Sequence, residues 1–323
     1  MVGAVVVYNN QIIGEGWHRK AGGPHAEVLA INAVANPELF SKSTIYVSLE
    51  PCGHFGKTPP CADLIIEKGI KKVVIGSIDP NEKVAGRGIK KLLEAGCEVC
   101  VGVLEKECGQ LNKRFFTFHL KKRPYVILKW AESTDGFIAP VAKVENRPVW
   151  ITNPQSRQLV HKWRTEEQAI LVGTQTVLSD NPELSVRDWV GNAPVRVVID
   201  SSLRIPKNLS VWDDGQETIF IVDKNQKLPG PSASTHFQPI DFAQNVPGQI
   251  LEVLYNRQLQ SVIIEGGRQT LQGFIDVGIW DEARVFTGNI KLGKGISAPQ
   301  FSGKMISEDH IKEDSLRIYT HAD

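Results

Sequence analysis

With 323 residues, 41% of them hydrophobic and 23% charged, the chain is an ordinary globular sequence, long enough for about two domains of roughly 150 residues each. A net charge of +1 gives no pointer to nucleic acid or to a membrane surface, and no apolar run approaches the roughly eighteen residues of a membrane span. Five cysteines, an odd number, do not make a disulfide framework in a chain of this size; they fit a cytoplasmic protein with some thiols committed to a metal.

The opening MVGAVVVY is too short for a secretory leader and has no basic flank. It reads as a strand, joined to QIIGEG through a hairpin turn at Asn9-Asn10. HAEVLAINAV has helical spacing, with Pro24 just ahead of it. The strand STIYVSLE, a helix over 61–69, the strand KKVVIGS, a helix over 87–95 and the strand CEVCVGV follow. HLKKRPY, residues 119–125, interrupts this rhythm with basic residues and a proline, and is read as an exposed linker. Beyond it come strands at YVILKWA, AILVG, VRVVID, TIFIVD, SVIIEGG and ARVFTG, with helices near 153–164, 250–259 and 268–278. Residues 224–248, rich in Pro, Gln and Ser, read as a loop-dominated connection, and no repeat occurs at solenoid periods. The alternation predicts two α/β domains, 1–122 and 123–323.

In the first domain His25-Ala26-Glu27 follows Gly22-Gly23-Pro24, and Pro51-Cys52 follows a strand. A lone His or Cys is most often core. Here one imidazole and two thiolates, His25, Cys52 and Cys61, supply three zinc ligands and leave a fourth tetrahedral position for water, the open arrangement of a catalytic site. Zinc lowers the pKa of such a water toward neutrality. Glu27, two residues after the histidine, is placed to move its proton to a leaving amine without ligating the metal.

H-A-E with P-C and a second Cys resembles the cytidine-deaminase superfamily, where the second cysteine usually follows the first by three. Here GHFGKTPP fills the interval, and PCGHFGKTPPC resembles the signature of the bifunctional riboflavin-biosynthesis deaminase/reductase family. GEGWHRKAGGPHAE and DPNEKVAGRG extend the likeness. The resemblance implies a cytidine-deaminase-like three-layer α/β domain that deaminates a diaminopyrimidinone ribotide. It also implies substrate contacts from His18, His54, Lys57, Asp79 and Asn81, the lysine suiting a phosphate. Taken alone, DPN is a turn sequence and His18 a surface residue. Cys97-Glu98-Val99-Cys100 lies in a β-branched run and reads as structural, because a redox pair belongs at a helix start. Gly86-Arg87-Gly88 reads as a helix start, since a lone G-x-G is weak evidence for a phosphate loop. In the family pattern a helix and a P-N-P segment precede VGAVVV. This sequence starts at Met1-Val2-Gly3, so either Met1 is an internal methionine of a longer chain or the protein is shortened. A chain that truly starts here is expected to have a weakened or inactive deaminase half.

In the second domain Arg164 falls at the end of the helix starting near Asn153, and Arg187 follows DNPELS, a reasonable pair to clamp a phosphate. Gly266-Gly267 ends a buried strand ahead of a helix, where amides suit a pyrophosphate. Glu265 stands at that strand's C-terminal end, where α/β sheets bind ligands. LKWAESTDGFIA, VWITNPQSRQLVHKWR, GTQTVLSDNPELSVR, VVIDSS and VIIEGGRQTLQGF resemble the family's reductase half. That likeness implies a dihydrofolate-reductase-like α/β domain using NADPH without G-x-G-x-x-G. It assigns Ala131, Trp150, Thr176, Asp180, Ser201 and the Gly267–Gly273 turn to the cofactor. It assigns Arg164, Leu184, Arg187 and Glu265 to the substrate, whose C1′ receives the hydride. Lys129, Asp180 and Glu265 are candidates for polar assistance, with no residue assigned as the acid. Pro148 stands where many members carry a serine, which removes a hydrogen bond to substrate. A homodimer or homotetramer is implied as well. The alternatives are a nucleoside or tRNA deaminase with an unrelated appended domain, which a basic face would favour, and a non-catalytic regulator, against which the intact Glu27 argues.

Overall fold

The computed structural model describes residues 2–20, 22–53, 59–81, 84–141, 149–213, 215–230 and 233–321. The candidate contacts His54 and Lys57, and Pro148, lie outside them. The chain divides into two compact units, Met1–Lys121 and Lys122–Asp323. No helix among the described residues is long and apolar enough to cross a membrane.

In the first unit β1 (Gly3–Tyr8) and β2 (Gln11–Trp17) pair through the two-residue turn Asn9-Asn10, both at positive φ (48° and 60°). Asparagine tolerates that conformation, and the turn's twist suits a hairpin. Then come α1 (Ala26–Asn32), β3 (Thr44–Leu49), α2 (Cys61–Glu67), β4 (Lys72–Ser77), α3 (Arg87–Glu94), β5 (Glu98–Val101), α4 (Glu105–Leu111) and α5 (Lys113–Lys121). The sheet order is β2-β1-β3-β4-β5, with β3, β4 and β5 parallel. Alternate residues Ala4, Val6, Ile45, Val47, Val73 and Ile75 point to one face, where Ala30, Ile65 and Leu92 of α1, α2 and α3 meet them. α1 lies directly on β2. A Cβ on Gly16 would stand 2.5 Å from the Leu29 Cβ, so only glycine admits the helix at this depth. On the other face α4 brings Cys108 against Gly76.

The second unit contains β6 (Tyr125–Ser133), β7 (Phe137–Pro140), α6 (Pro154–Glu166), β8 (Ala169–Gly173), α7 (Thr174–Asp180), β9 (Val195–Ile199), β10 (Thr218–Asp223), β11 (Thr235–Ile240), α8 (Val246–Asn256), β12 (Ser261–Gly266), α9 (Arg268–Asp276), β13 (Glu282–Gly288), β14 (Gly295–Ser297), β15 (Gly303–Ile311) and β16 (Asp314–His321). The large sheet runs β11-β10-β9-β8-β12-β6-β13-β16-β15, parallel from β11 to β13, with β16 antiparallel to both β13 and β15. Its strands are apolar on both sides because both faces are covered. Val126, Leu128 and Trp130 of β6 face α8 and α9, whereas Tyr125 and Ile127 face α6 and α7.

Several elements depart from the sequence reading. The segment 224–248 is not all loop: β11 lies in it, and α8 starts at Val246, capped by the Asn245 side chain, which accepts from Gly248 N–H. β11 hides its character because Pro239 and Gln238 break the apolar run, which an edge strand tolerates. HLKKRPY begins inside α5 rather than in a linker. The β15–β16 hairpin, α4 and α7 were also unread, being polar or short. Cys97 and Cys100 flank and enter β5 as free thiols, and α3 starts at Arg87 with Gly86 at φ 74°.

Candidate active sites

His25 is the N-cap residue of α1 and makes no side-chain capping bond, so its ring is directed elsewhere. Its Nδ1 lies 3.2 Å from Cys61 Sγ and 3.5 Å from Cys52 Sγ. Cys61 opens α2, and its N–H donates to Cys52 Sγ at 3.2 Å, so a helix start favours the thiolate it faces. The three ligand atoms lie within 4.8 Å of one another. The Cys61 thiol donates to Cys52, and this bond is the main cause that lowers Cys52 to about 4 while Cys61 is pushed up, with burial adding to the rise. The bond to Cys52 raises His25. Glu27 is buried in the first turn of α1, and burial pushes its carboxyl up to about 7. His18 packs edge-on against His25 with ring centroids 5.5 Å apart, its Nδ1–H donating to Pro24 O at 3.1 Å. One nitrogen and two sulfurs in this spacing are the borderline-soft donors that zinc takes, and three of them leave a coordination position open.

Asp79 and Asn81 follow β4 in a turn where the Asp79 carboxylate accepts from Asn81 N–H at 2.8 Å. The sequence reading missed the residue that holds this turn. Glu50, buried at the end of β3, accepts from four backbone amides, those of Asp79, Gly86, Gly88 and Ile89. A carboxylate between a buried strand and Pro51-Cys52 was the available signal.

In the second unit a cavity of about 1620 Å³ opens at the C-terminal ends of β6, β8, β9 and β12. Ala131, Trp150, Thr176, Asp180, Ser201, Gly267 and Gly273 line it, and so do Lys129, Arg164, Arg187 and Glu265. At its floor Glu265 sits between two cations. Arg164 donates to it twice, and Lys129 Nζ lies 3.6 Å away. Burial would raise the Glu265 carboxyl, but Arg164 and Lys129 hold it at about 2. Burial lowers Lys129, with Glu265 opposing. Leu184 stands apart: its side chain is buried in the core beside Val177 and Val211, so only its backbone is left to meet a ligand. Arg187 is paired with Glu183 at 2.6 Å, and Arg164 is occupied by Glu265 and the Ser185 carbonyl, so the two arginines are not an open clamp. Gly267 N–H is taken by Thr176 Oγ1 at 2.8 Å. The amides left for a pyrophosphate are those of the first turn of α9, which no side chain caps. The size of the cavity and this helix end fit a dinucleotide.

Arg157 and His161 are among the lining residues that the sequence reading missed. Arg157 lies over the Trp150 ring, 4.6 Å from Cζ to the ring centroid. His161, one turn before Arg164 on α6, accepts from Arg187 N–H at 3.3 Å, and burial lowers its pKa. Helical spacing from Arg164 would have found His161.

The fold and donor set of the first unit, with the second unit's sheet and cavity, define a zinc deaminase of cytidine-deaminase type followed by a dihydrofolate-reductase-like reductase. Residues 1–77 match the cytidine and deoxycytidylate deaminase zinc-binding region, and residues 124–320 match the RibD C-terminal domain. The chain is similar to the riboflavin biosynthesis protein RibD of Aquifex aeolicus, 40% identical over 309 residues, covering 95% of this chain and 85% of that one. The Actinobacillus pleuropneumoniae RibD is 42% identical over 322 residues, covering 95% and 82%. The crystal structure of a diaminohydroxyphosphoribosylaminopyrimidine deaminase/5-amino-6-(5-phosphoribosylamino)uracil reductase from Thermotoga maritima superposes with a TM-score of 0.88 at 37% identity, over 99% of this chain and 92% of that one. The chain belongs to the RibD family of riboflavin biosynthesis, a deaminase and a reductase on one polypeptide.

Proposed function

We propose that residues 1–122 deaminate 2,5-diamino-6-ribosylamino-4(3H)-pyrimidinone 5′-phosphate. Residues 123–323 then reduce the ribosyl group of the product to ribityl with NADPH. The observation that carries this reading is the His25, Cys52 and Cys61 donor set beside buried Glu27, on the same chain as a cavity floored by Glu265 between Arg164 and Lys129.

His25, Cys52 and Cys61 would hold a zinc ion, which when bound would supply the Lewis acidity that makes water a nucleophile. Glu27, one residue inside α1 and shielded from solvent, takes a proton and returns it to the departing amine. His18 and the Asp79–Asn81 turn orient the pyrimidine, the charge of Lys57 suits the substrate phosphate, and His54 is a further substrate contact. In the second unit NADPH, when bound, would supply the hydride. Ala131, Trp150, Thr176, Asp180, Ser201 and Gly267 to Gly273 hold the cofactor. Arg187 takes the substrate phosphate by exchanging Glu183 for it, while Arg164, Lys129 and Glu265 fix a charged floor beneath the sugar. Leu184 contributes its backbone.

The five free cysteines support a reducing, cytoplasmic location. The family likeness supports assembly of second copies of the chain into a dimer or tetramer. The order of steps is the test. Zinc-loaded protein given the ribotide without NADPH releases ammonia, and NADPH added later is consumed in proportion to the ammonia already released. NADPH consumption that runs without ammonia release would overturn this order.

A further inference from the structure

The turn carrying Asp79 and Asn81 is held by Glu50, which belongs to the segment that delivers Cys52. Glu50 Oε2 accepts from Asp79 N–H at 3.3 Å and from Gly86 N–H at 2.9 Å. Its Oε1 accepts from Gly88 N–H at 2.9 Å and Ile89 N–H at 3.3 Å. One oxygen therefore closes the excursion between β4 and α3, and the other caps the start of α3, whose N-cap Gly86 has no side chain to do so. The strand end that carries Glu50 is itself tied to β4, with Glu50 N–H donating to Ser77 O at 2.9 Å.

Backbone packing locks the same two segments together. A Cβ on Gly88 would overlap the Pro51 carbonyl oxygen, and one on Gly53 would stand 2.7 Å from Gly88 N and 2.8 Å from Arg87 C. Pro51 and Gly53 thus touch the main chain of Arg87 and Gly88 on either side of Cys52. A helix cap alone needs one acceptor. Four donors, one from the Asp79 turn and three from Gly86 and the start of α3, tie these two segments to a single carboxylate.

We infer that Glu50 is a positioning residue of the deaminase. Its carboxylate holds the Asp79–Asn81 turn in register with the Cys52 segment, so that pyrimidine contacts and metal ligands are set by one group. This rests on the reading of Asn81 as a substrate contact. A carboxylate is required because it only accepts, whereas a carboxamide in its place would turn its own donors toward amide donors.

The test compares Glu50→Gln, Glu50→Asp and Asn81→Ala in the full chain, measuring zinc per chain, deamination kcat and KM for the ribotide, and reductase activity on the same polypeptide. The expected result for Glu50→Gln is a KM raised about tenfold or more with zinc content and reductase activity retained. Glu50→Asp, which accepts but reaches less far, falls between. Gly88→Ala, whose added methyl would overlap the Pro51 carbonyl and stand 3.3 Å from Glu50 Oε1, disturbs both the backbone packing and the carboxylate and raises KM in the same direction. If Asn81→Ala raises KM while Glu50→Gln lowers only zinc content or the folded fraction, Glu50 is merely structural and the inference fails, with the Asn81 reading intact. An unchanged KM in Asn81→Ala overturns that reading and the inference with it.

Discussion

Arg164 and Glu265, 101 residues apart in sequence, meet as a two-pronged pair: Nε to Oε1 at 2.9 Å and Nη2 to Oε2 at 2.8 Å. Both are largely buried, and Lys129 closes on the same carboxylate. Removing the anion alone leaves two cations without a counter-charge in the interior. Glu265→Gln is therefore expected to cost about 3–5 kcal/mol of stability, to abolish NADPH-dependent reduction and to leave deamination running. Denaturant unfolding with both activity assays measures this. A loss under about 1 kcal/mol would show that the pair is solvated rather than buried.

The same group sets an acid limit. Glu265 is held at about 2 against an ordinary 4.5, with Arg164, Lys129 and His161 facing it. A carboxyl depressed by folding stabilises the fold above its unfolded pKa, and that contribution disappears as pH falls through about 2. On the order of 3 kcal/mol should be lost between about pH 4.5 and 2. His161, lowered by burial and by Arg164, acts with the same sign below 6.5, whereas Lys129, also lowered, titrates at higher pH. Comparing wild type with Glu265→Gln across pH 2 to 5 isolates the carboxyl: the wild-type slope should flatten in the variant.

Glu27 and Cys61 separate chemistry from metal retention. Glu27→Gln keeps the shape of the side chain and all three ligands, so zinc content is expected to stay at one per chain while deamination falls by about 10²–10⁴. Cys61→Ser, or chelation, removes the metal and deamination together. Reduction of deaminated substrate should be untouched in every case. Metal analysis beside the two assays distinguishes these outcomes, and full deamination by Glu27→Gln would remove Glu27 from the mechanism.

Arg187 lines the cavity paired with Glu183 at 2.6 Å, and its proposed role at the substrate phosphate requires it to leave that partner. Arg187→Ala should raise the reductase KM for the phosphorylated substrate by at least about tenfold with the NADPH KM unchanged. The pair is about half exposed and contributes little, so Glu183→Gln should lower that KM by no more than about fivefold. A rise on Glu183→Gln would mean that Glu183 orients Arg187 instead of masking it.

The parts legible in the sequence were those where one chemical need fixes residue type and spacing. His25, Cys52 and Cys61 could be read as a donor set because zinc demands such ligands, and the apolar runs of β6, β8, β9 and β12 could be read because both faces of that sheet are covered. Asn9-Asn10 announced a hairpin through its tolerance of positive φ. The rest depended on partners distant in sequence. β11 and β15 are edge strands whose polar residues carry no period. Glu50 gains its meaning from amides 29 to 39 residues away. The Arg187–Glu183 pairing and the core burial of Leu184 are set by the loop after α7, whose path no local pattern specifies.

The most direct test of the central claim is mass spectrometry of the diaminopyrimidinone ribotide after incubation with zinc-loaded protein and NADPH. The account predicts a product that has exchanged an amine for oxygen and gained two hydrogens. Ribotide recovered unchanged, together with no reduction of substrate supplied already deaminated, would contradict it.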